Sequence, residues 1–421
     1  MTDPFTPTGP ERPRRLVPTP RFVTMLVSGL ATFGLLAMML VLPVPYAVQG
    51  PGPTFNTLAG HAPEEIGDQD ADAAGDAQSE AAPGNGADDD TDPGGGQAGA
   101  DDGFRLISIE GGQSYPAAGE LRLTTVVTAG GPGYPVRAGN VILAYWDPEQ
   151  VVQPVEAAFD PSLTREERDE LSAQQMITSQ EHATVAALTE LGYEVPAVMH
   201  IVDAAPGTGA EGVVQEGDLI VGINGAAEGG QAPPMVEVDT YADLAGVLRD
   251  TDAGQEVTLV VERDGELEGL PIVTTDDGLG NTQLGIFLQA DFDMPIEVEI
   301  AIDNVGGPSA GVMFALGIID VLTPGNLTGG SSIAGTGTIS LDGRVGPIGG
   351  VDLKMIGAVE DGAEYFLTPV ANCPEVVGNI PDGLEVIAVD HLSQARAAVE
   401  AIADGATEDL PECPGPDGTI D

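Results

Sequence analysis

The hydrophobic and polar positions of this chain change period several times. From Phe22 to Leu42, twenty-one consecutive residues carry no charge. At 1.5 Å per residue such a run is long enough to cross a hydrocarbon core of roughly 30 Å. Strand-like alternation follows in Phe104-Arg-Leu-Ile-Ser-Ile109 and Leu121-Arg-Leu-Thr-Thr-Val-Val127. Between Thr164 and Leu191 the period becomes helical, with Leu171, Met176, Ile177, Val185, Leu188 and Leu191 on mixed three- and four-residue spacings. Thr164 followed by Glu167 predicts a capping box at its start, and Gly192 ends it. From Val195 to about Thr275 short strands and glycine turns take over: Ala197 to Val202, Asp218 to Gly225 and Val257 to Gly265, with a short helix at Asp243 to Leu248. Gln283 to Leu288 and Ile296 to Ile302 read as two further strands, and Ala310 to Leu322 as an apolar helix. The pattern predicts an α+β chain behind an N-terminal transmembrane helix.

Charge orients this picture. Arg12, Arg14, Arg15 and Arg21 precede the apolar run, and the next basic residue is Arg105. The asymmetry predicts a cytoplasmic N-terminus and a single pass of the cell membrane, with everything after Pro43 extracytoplasmic. The run is longer than the apolar region of a signal peptide and lacks a clear Ala-x-Ala site, so we read an uncleaved signal anchor. Pro51-Gly-Pro-Thr-Phe-Asn56 reads as a stiff turn. It leads into His61 to Gly103, rich in Asp, Glu, Ala and Gly without one Lys or Arg, which predicts a disordered spacer. That tract lacks the spacing of a calcium loop. With 14 basic against 67 acidic residues, the formal charge of −53 argues against nucleic acid as a partner. Cys373 and Cys413 allow a single pairing, and both a disulfide and two free thiols are compatible with the sequence. No Cys-x-x-Cys or His-Glu-x-x-His element points to a metal, and no cofactor is expected.

Ala205-Pro-Gly207, Glu216-Gly-Asp-Leu-Ile220 and Asn224-Gly225, in that order among the short strands, resemble a bacterial PDZ domain over about eighty residues. The loop Ala226 to Val236 is longer than the resemblance leads one to expect. Such domains capture peptide ends or extended segments as an added strand. The resemblance puts that groove between the strand Met199 to Val202 and the helix at Leu244 and Leu248.

The chemistry concentrates on two residues. Lys354 is the only lysine, against thirteen arginines, and lies between Gly349-Gly350-Val351 and Met355-Ile356-Gly357-Ala358 rather than in a polar stretch. A lysine whose pKa is lowered by burial can take a proton from a serine hydroxyl, which an arginine cannot. Ser309 stands in Gly306-Gly-Pro-Ser-Ala-Gly311 at the entry to the apolar helix. A lone serine there is by default an N-cap. The segments that follow, Thr328-Gly-Gly330, Ile333-Ala-Gly-Thr-Gly-Thr-Ile339, Gly343-Arg-Val-Gly-Pro-Ile-Gly-Gly350 and Lys354-Met-Ile-Gly-Ala358, overturn that default. Together they resemble the proteolytic domain of the Lon family, in the membrane-anchored branch that also carries a PDZ domain.

The resemblance implies a serine endopeptidase with Ser309 as nucleophile, Lys354 as general base and Thr336 orienting the amine. The backbone N–H groups at Ser309 would form the oxyanion hole, and activity should rise with pH through the lysine pKa. It also implies protein or peptide substrates, membrane proteins among them, and a homo-oligomeric ring, a hexamer, although no residue here shows one. Gly306 departs from the acidic residue that ATP-dependent relatives often carry. Leu121 to Val126 and Ser179-Gln-Glu-His-Ala183 resemble the opening strand and first helix of the proteolytic fold, so the PDZ domain would be inserted within it.

A phosphate loop needs a lysine, and the single lysine belongs to another motif, so proteolysis is expected not to depend on ATP. His61, His182, His200 and His391 are scattered, and no Gly-x-Ser-x-Gly elbow supports a histidine-based hydrolase. The alternative from another class is a non-catalytic PDZ scaffold on a protease-like fold. The expected divisions are a cytoplasmic N-terminus (1–21), a signal anchor (22–42), an acidic linker (43–103), a first protease segment (104–194), the PDZ domain (195–275), the main proteolytic segment (276–403) and a tail (404–421).

Overall fold

A computed structural model describes residues 20–61, 105–131, 134–227, 233–278, 280–303 and 305–414. Arg12, Arg14, Arg15, Phe104, most of the expected acidic linker and the last residues of the tail lie outside them. The chain divides into two compact units, Met1–Gly50 with Thr128–Leu163, and Pro51–Val127 with Thr164–Asp421.

In the first unit the apolar run forms the helix Pro20–Val41, about 33 Å long at 1.5 Å per residue. By length and composition it is sufficient to cross a membrane. Directly after it, Pro43–Val44 pairs antiparallel with Val136–Arg137, and Tyr46 to Gln49 pairs with Val151–Pro154. The short helix Ala138–Tyr145 lies between those two return strands.

The second unit is built on a sheet whose neighbouring strands are Glu385–Val389, Tyr365–Pro369, Ser332–Gly335 and, up to Val127, Glu120–Ala129, followed by the part of the strand Tyr46–Asn56 from Pro51 on. The first three pairings are parallel. Successive residues of a strand point to opposite faces, and parallel strands buried on both faces need two apolar sets. Ile333, Leu367 and Ile387 accordingly join one core with the helices Arg165–Glu190, Gly311–Leu322 and Leu392–Ala403. Ala334, Phe366 and Val386 join another with the helix Val351–Glu360. The capping box expected at Thr164 is present: its Oγ1 accepts from Glu167 N at 3.3 Å, and its own N–H donates to Glu167 Oε2 at 2.8 Å. Cys373 and Cys413 are joined in a disulfide that closes a 40-residue separation.

Between the two parts of this sheet the chain builds a second one, in the order Glu266–Val273, Glu256–Arg263, Leu219–Asn224, Ala197–Ala204, Ile286–Phe292. It has its own core around Met199, Ile223, Leu244, Leu259 and Ile272. Arg263 and Glu266 pair across a two-residue turn in which Asp264 and Gly265 both have positive φ, the geometry that Asp-Gly favours in hairpins. Thr240 and Asp243 form a capping box for the helix Tyr241–Arg249. These strands and the helix form an insertion that lies, in sequence, between Glu120–Ala129 and Ser332–Gly335 of the first sheet.

Five expectations are corrected. Pro51 to Asn56 is not a turn but part of the strand Tyr46–Asn56, so the expected linker begins with ordered sheet. Proline suits an extended backbone wherever its N–H is not needed. Gly52 is required there, because a Cβ would lie 2.9 Å from Thr125 O of the neighbouring strand. The segment 104–194 is not one piece, since Thr128–Leu163 belongs to the first unit. The insertion extends past Thr275: Ile286–Phe292 pairs antiparallel with Ala197–Ala204 and completes its sheet. For the same reason the expected groove beside Met199 to Val202 is closed. Ile286–Phe292 is an edge strand of the sheet, as Glu266–Val273 is at the other end, and Ile286 and Leu288 pack against the same core as Val247 and Leu248. Gly285, at φ +73° and against the Thr208 side chain, divides the expected strand Gln283 to Leu288.

Asp320 is fully buried in the apolar helix, with Oδ1 accepting from Leu327 N at 3.1 Å and Oδ2 unpartnered among the described residues. Burial pushes its pKa up from 3.8 to about 6. Between those values the folded state holds a proton that the unfolded state has lost. Stability is therefore fully present below pH 3.8 and falls as pH rises through 6. Asp320→Asn keeps an acceptor for Leu327 without the charge. Chemical denaturation should show a gain of about 1–3 kcal/mol at pH 7 that vanishes near pH 4.

Candidate active site

The loop Val305 to Ala310 carries Ser309 between the long helix and the apolar helix. Gly307 takes φ +84°, a left-handed turn. Its N–H donates to Ser172 O at 3.1 Å, and Pro308 O accepts from Ser179 Oγ at 3.1 Å, so two serines of Arg165–Glu190 fix the loop. Gly306 has a local reason: a Cβ there would collide with Ser172 Oγ. A larger side chain has no room there while Ser172 Oγ occupies this place.

Ser309 does not cap the helix. The N-cap position of Gly311–Leu322 falls on Ala310, with no side-chain cap bond. Ser309 Oγ is left to face the cleft and lies 2.7 Å from Lys354 Nζ. The Ser309 carbonyl accepts from Gly337 N at 2.8 Å and from Thr336 Oγ1 at 3.0 Å. Thr336 Oγ1 in turn accepts from Lys354 Nζ at 2.8 Å. One hydroxyl therefore registers the amine against the backbone of the serine. The structure brings together all three residues singled out in the sequence.

Lys354 sits in the first turn of Val351–Glu360, its N–H bonded to Gly350 O at 3.1 Å. Gly350 caps that helix at φ +68°, with Val126 only 3.2 Å from where a Cβ would be, which leaves no other residue type comfortable. The lysine is 3% exposed and Thr336 wholly buried. Burial, with no neighbouring carboxylate among the described residues, lowers the lysine pKa from 10.5 to about 7. The amine is thus available in its neutral form near neutral pH.

A cleft of about 600 Å³ opens onto the pair. Phe55, Leu123, Met176 and Val305 supply apolar wall, and Thr125 to Val127 form a strand segment along one side. Ser332–Gly335 pairs with Glu120 to Leu123 only, so the following residues of that strand are not continued by it.

Sequence reasoning missed Asn372. Its Nδ2 donates to Ile348 O at 2.8 Å and its Oδ1 accepts from Ile348 N at 3.0 Å, clamping the loop that enters the lysine helix. The residue is 2% exposed. A lone asparagine before Cys373 carries no periodic or motif signal, so nothing local marks it. Asn372→Ala leaves both Ile348 groups without their partner and should cost about 2–4 kcal/mol by denaturant unfolding.

Residues 291–400 match the family model of the Lon protease (S16) C-terminal proteolytic domain. The Lon protease of Nitratidesulfovibrio vulgaris is 32% identical over 136 residues, 30% of this chain and 16% of its own length. Lon protease 2 of Bacillus subtilis is 34% identical over 150 residues, 35% of this chain and 25% of its own length. The chain therefore spans a quarter or less of these curated relatives. Among solved structures, the PDZ domain of an SdrC-like protein from Listeria innocua is similar at 19% identity and a TM-score of 0.18, covering 22% of this chain and 93% of that one. Motif order and family match agree: over residues 291–400 this chain carries a proteolytic domain of the Lon protease (S16) C-terminal type.

Proposed function

We propose that this protein is a membrane-anchored serine endopeptidase that works without ATP, through a Ser309–Lys354 dyad oriented by Thr336. The observation that carries the reading is the 2.7 Å approach of Ser309 Oγ to a buried amine whose pKa is lowered to about 7. In the first step the neutral amine takes the hydroxyl proton as Oγ bonds to the substrate carbonyl carbon, and the carbonyl π pair moves to its oxygen. The N–H groups of Ser309 and Ala310 find no acceptor among the described residues and are suited to hold that oxyanion. Collapse expels the amine leaving group, which takes the proton from the ammonium. Water then attacks the acyl ester with the same base, releasing the acid and restoring the hydroxyl.

The divisions of the chain follow this reading: the helix Pro20–Val41 anchors, and the segments either side of the insertion form the protease. The PDZ-type domain presents extended protein segments along the open edge of Ile286–Phe292. ATP independence rests on the single lysine being held in the dyad, with none left in these 421 residues for a phosphate loop.

The test is degradation of an unfolded protein by purified full-length chain, with and without ATP, beside Ser309→Ala. We expect cleavage by the parent alone, unchanged by nucleotide. Equal cleavage by both proteins would remove the nucleophile. Peptide binding with no cleavage by either would favour the non-catalytic scaffold.

A further inference from the structure

The helix Ala138–Tyr145 is built inside out. Ala144 faces inward at 2% exposure, whereas Ile142, Leu143, Tyr145 and the adjoining Trp146 are 51%, 73%, 75% and 81% exposed. At roughly 100° per residue these four large apolar side chains cover about 160° of the helix circumference. A soluble helix would place such residues against a core and charges outside. Here Ala138 to Trp146 contains no charged residue at all, in a chain of formal charge −53.

Its location supplies the reason. Ala138 N donates to Leu42 O at 2.9 Å, immediately after the apolar helix Pro20–Val41. A Cβ at Gly139 would lie 3.0 Å from Leu40 O, so the two backbones are in close approach. Pro43–Val44 is hydrogen-bonded to Val136–Arg137, which locks the start of the short helix to the end of the long one. The exposed apolar face thus begins where the span able to cross a membrane stops. Tyr145 and Trp146 meet edge to face, with ring centroids 5.9 Å apart. Amphipathic aromatic rings of this kind favour the headgroup level of a bilayer.

We propose that Ala138–Tyr145, with Trp146, lies in the headgroup–acyl boundary of the leaflet from which Pro20–Val41 emerges, as an interfacial helix that fixes the first unit at the membrane surface. The occupant of the apolar face is lipid. The inference rests on the anchoring proposed above and adds a second, separate contact. A helix of eight residues spans only about 12 Å, so it can lie within a single leaflet boundary and cannot cross.

Trp146 is the only tryptophan, so its fluorescence reports the helix without labelling. The experiment reconstitutes the full-length protein into phosphatidylcholine–phosphatidylglycerol vesicles made with lipids brominated near the headgroup or near the bilayer centre. We expect the protein to float with the vesicles and Trp146 to be quenched about two-fold by shallow bromine, less by deep bromine, and little by aqueous iodide, matching residence in the interface. Ile142→Ser with Leu143→Ser, both at exposed positions, should still float through the long helix but lose most of the bromine quenching. Floating protein whose Trp146 is quenched by iodide and not by bromine overturns the interfacial helix and leaves the anchor standing. Shielding from both quenchers would mean that protein covers the face, and overturns it too. Protein that does not float defeats both readings.

Discussion

Ser309→Ala, Lys354→Met and the double variant should each lose peptidase activity by about 10³-fold or more, and the double variant should be little worse than either single one. Residues that act as one unit give non-additive losses, because removing one partner leaves the other nothing to do. Lys354→Arg should fail as fully: a guanidinium keeps the charge but cannot become neutral at usable pH. The distinguishing measurement is stability. Lys354 is buried without a carboxylate partner, so its amine is tolerated rather than favoured. Lys354→Met should therefore fold more stably than the parent, by roughly 1–4 kcal/mol at pH 7, while being inactive. An inactive variant that is also destabilised would point to collapse of the site rather than loss of a base.

The second large effect is on pH. With the base titrating at about 7, kcat/KM should fall about ten-fold per pH unit below that value and level off above it. At pH 5 the loss should approach 100-fold, although the fold is intact. Stability carries the same sign: between about 7 and 10.5 the unfolded chain holds a proton that the folded chain has released, so stability rises with pH across that window. Thr336→Val removes the hydroxyl that accepts from Nζ, and should shift the profile as well as lower its plateau, whereas a merely structural role would leave the midpoint in place. A rate independent of pH between 5 and 8 would exclude Lys354 as the base.

Much of this site was legible because its signals are local. The capping box at Thr164 needs four residues, and the turn at Asp264-Gly265 two. The Ser309 and Lys354 motifs are rigid glycine-rich strings with little freedom of interpretation. What escaped depends on partners distant in sequence. Pro51-Gly-Pro reads as a turn until Thr125 and its neighbours are seen beside it. The strand beside Met199 to Val202 reads as an open edge until Ile286–Phe292, about ninety residues after Ala197 in sequence, is seen paired along it. The separate unit at Thr128–Leu163 has short strands and an uncharged helix, none long enough to show a period. Asn372 and Ser172 act through backbone groups of other segments, which no motif records.

Lys354 has a practical consequence for chemical labelling. An amine that is half neutral near pH 7 is itself a nucleophile, and apart from the chain's α-amine no other primary amine exists in these 421 residues. It lines the cleft beside Ser309. Small aldehyde reagents that enter that cleft should form an imine at one side-chain position only, since a serine hydroxyl gives no stable imine. The extent of modification then measures how much of the cleft is empty.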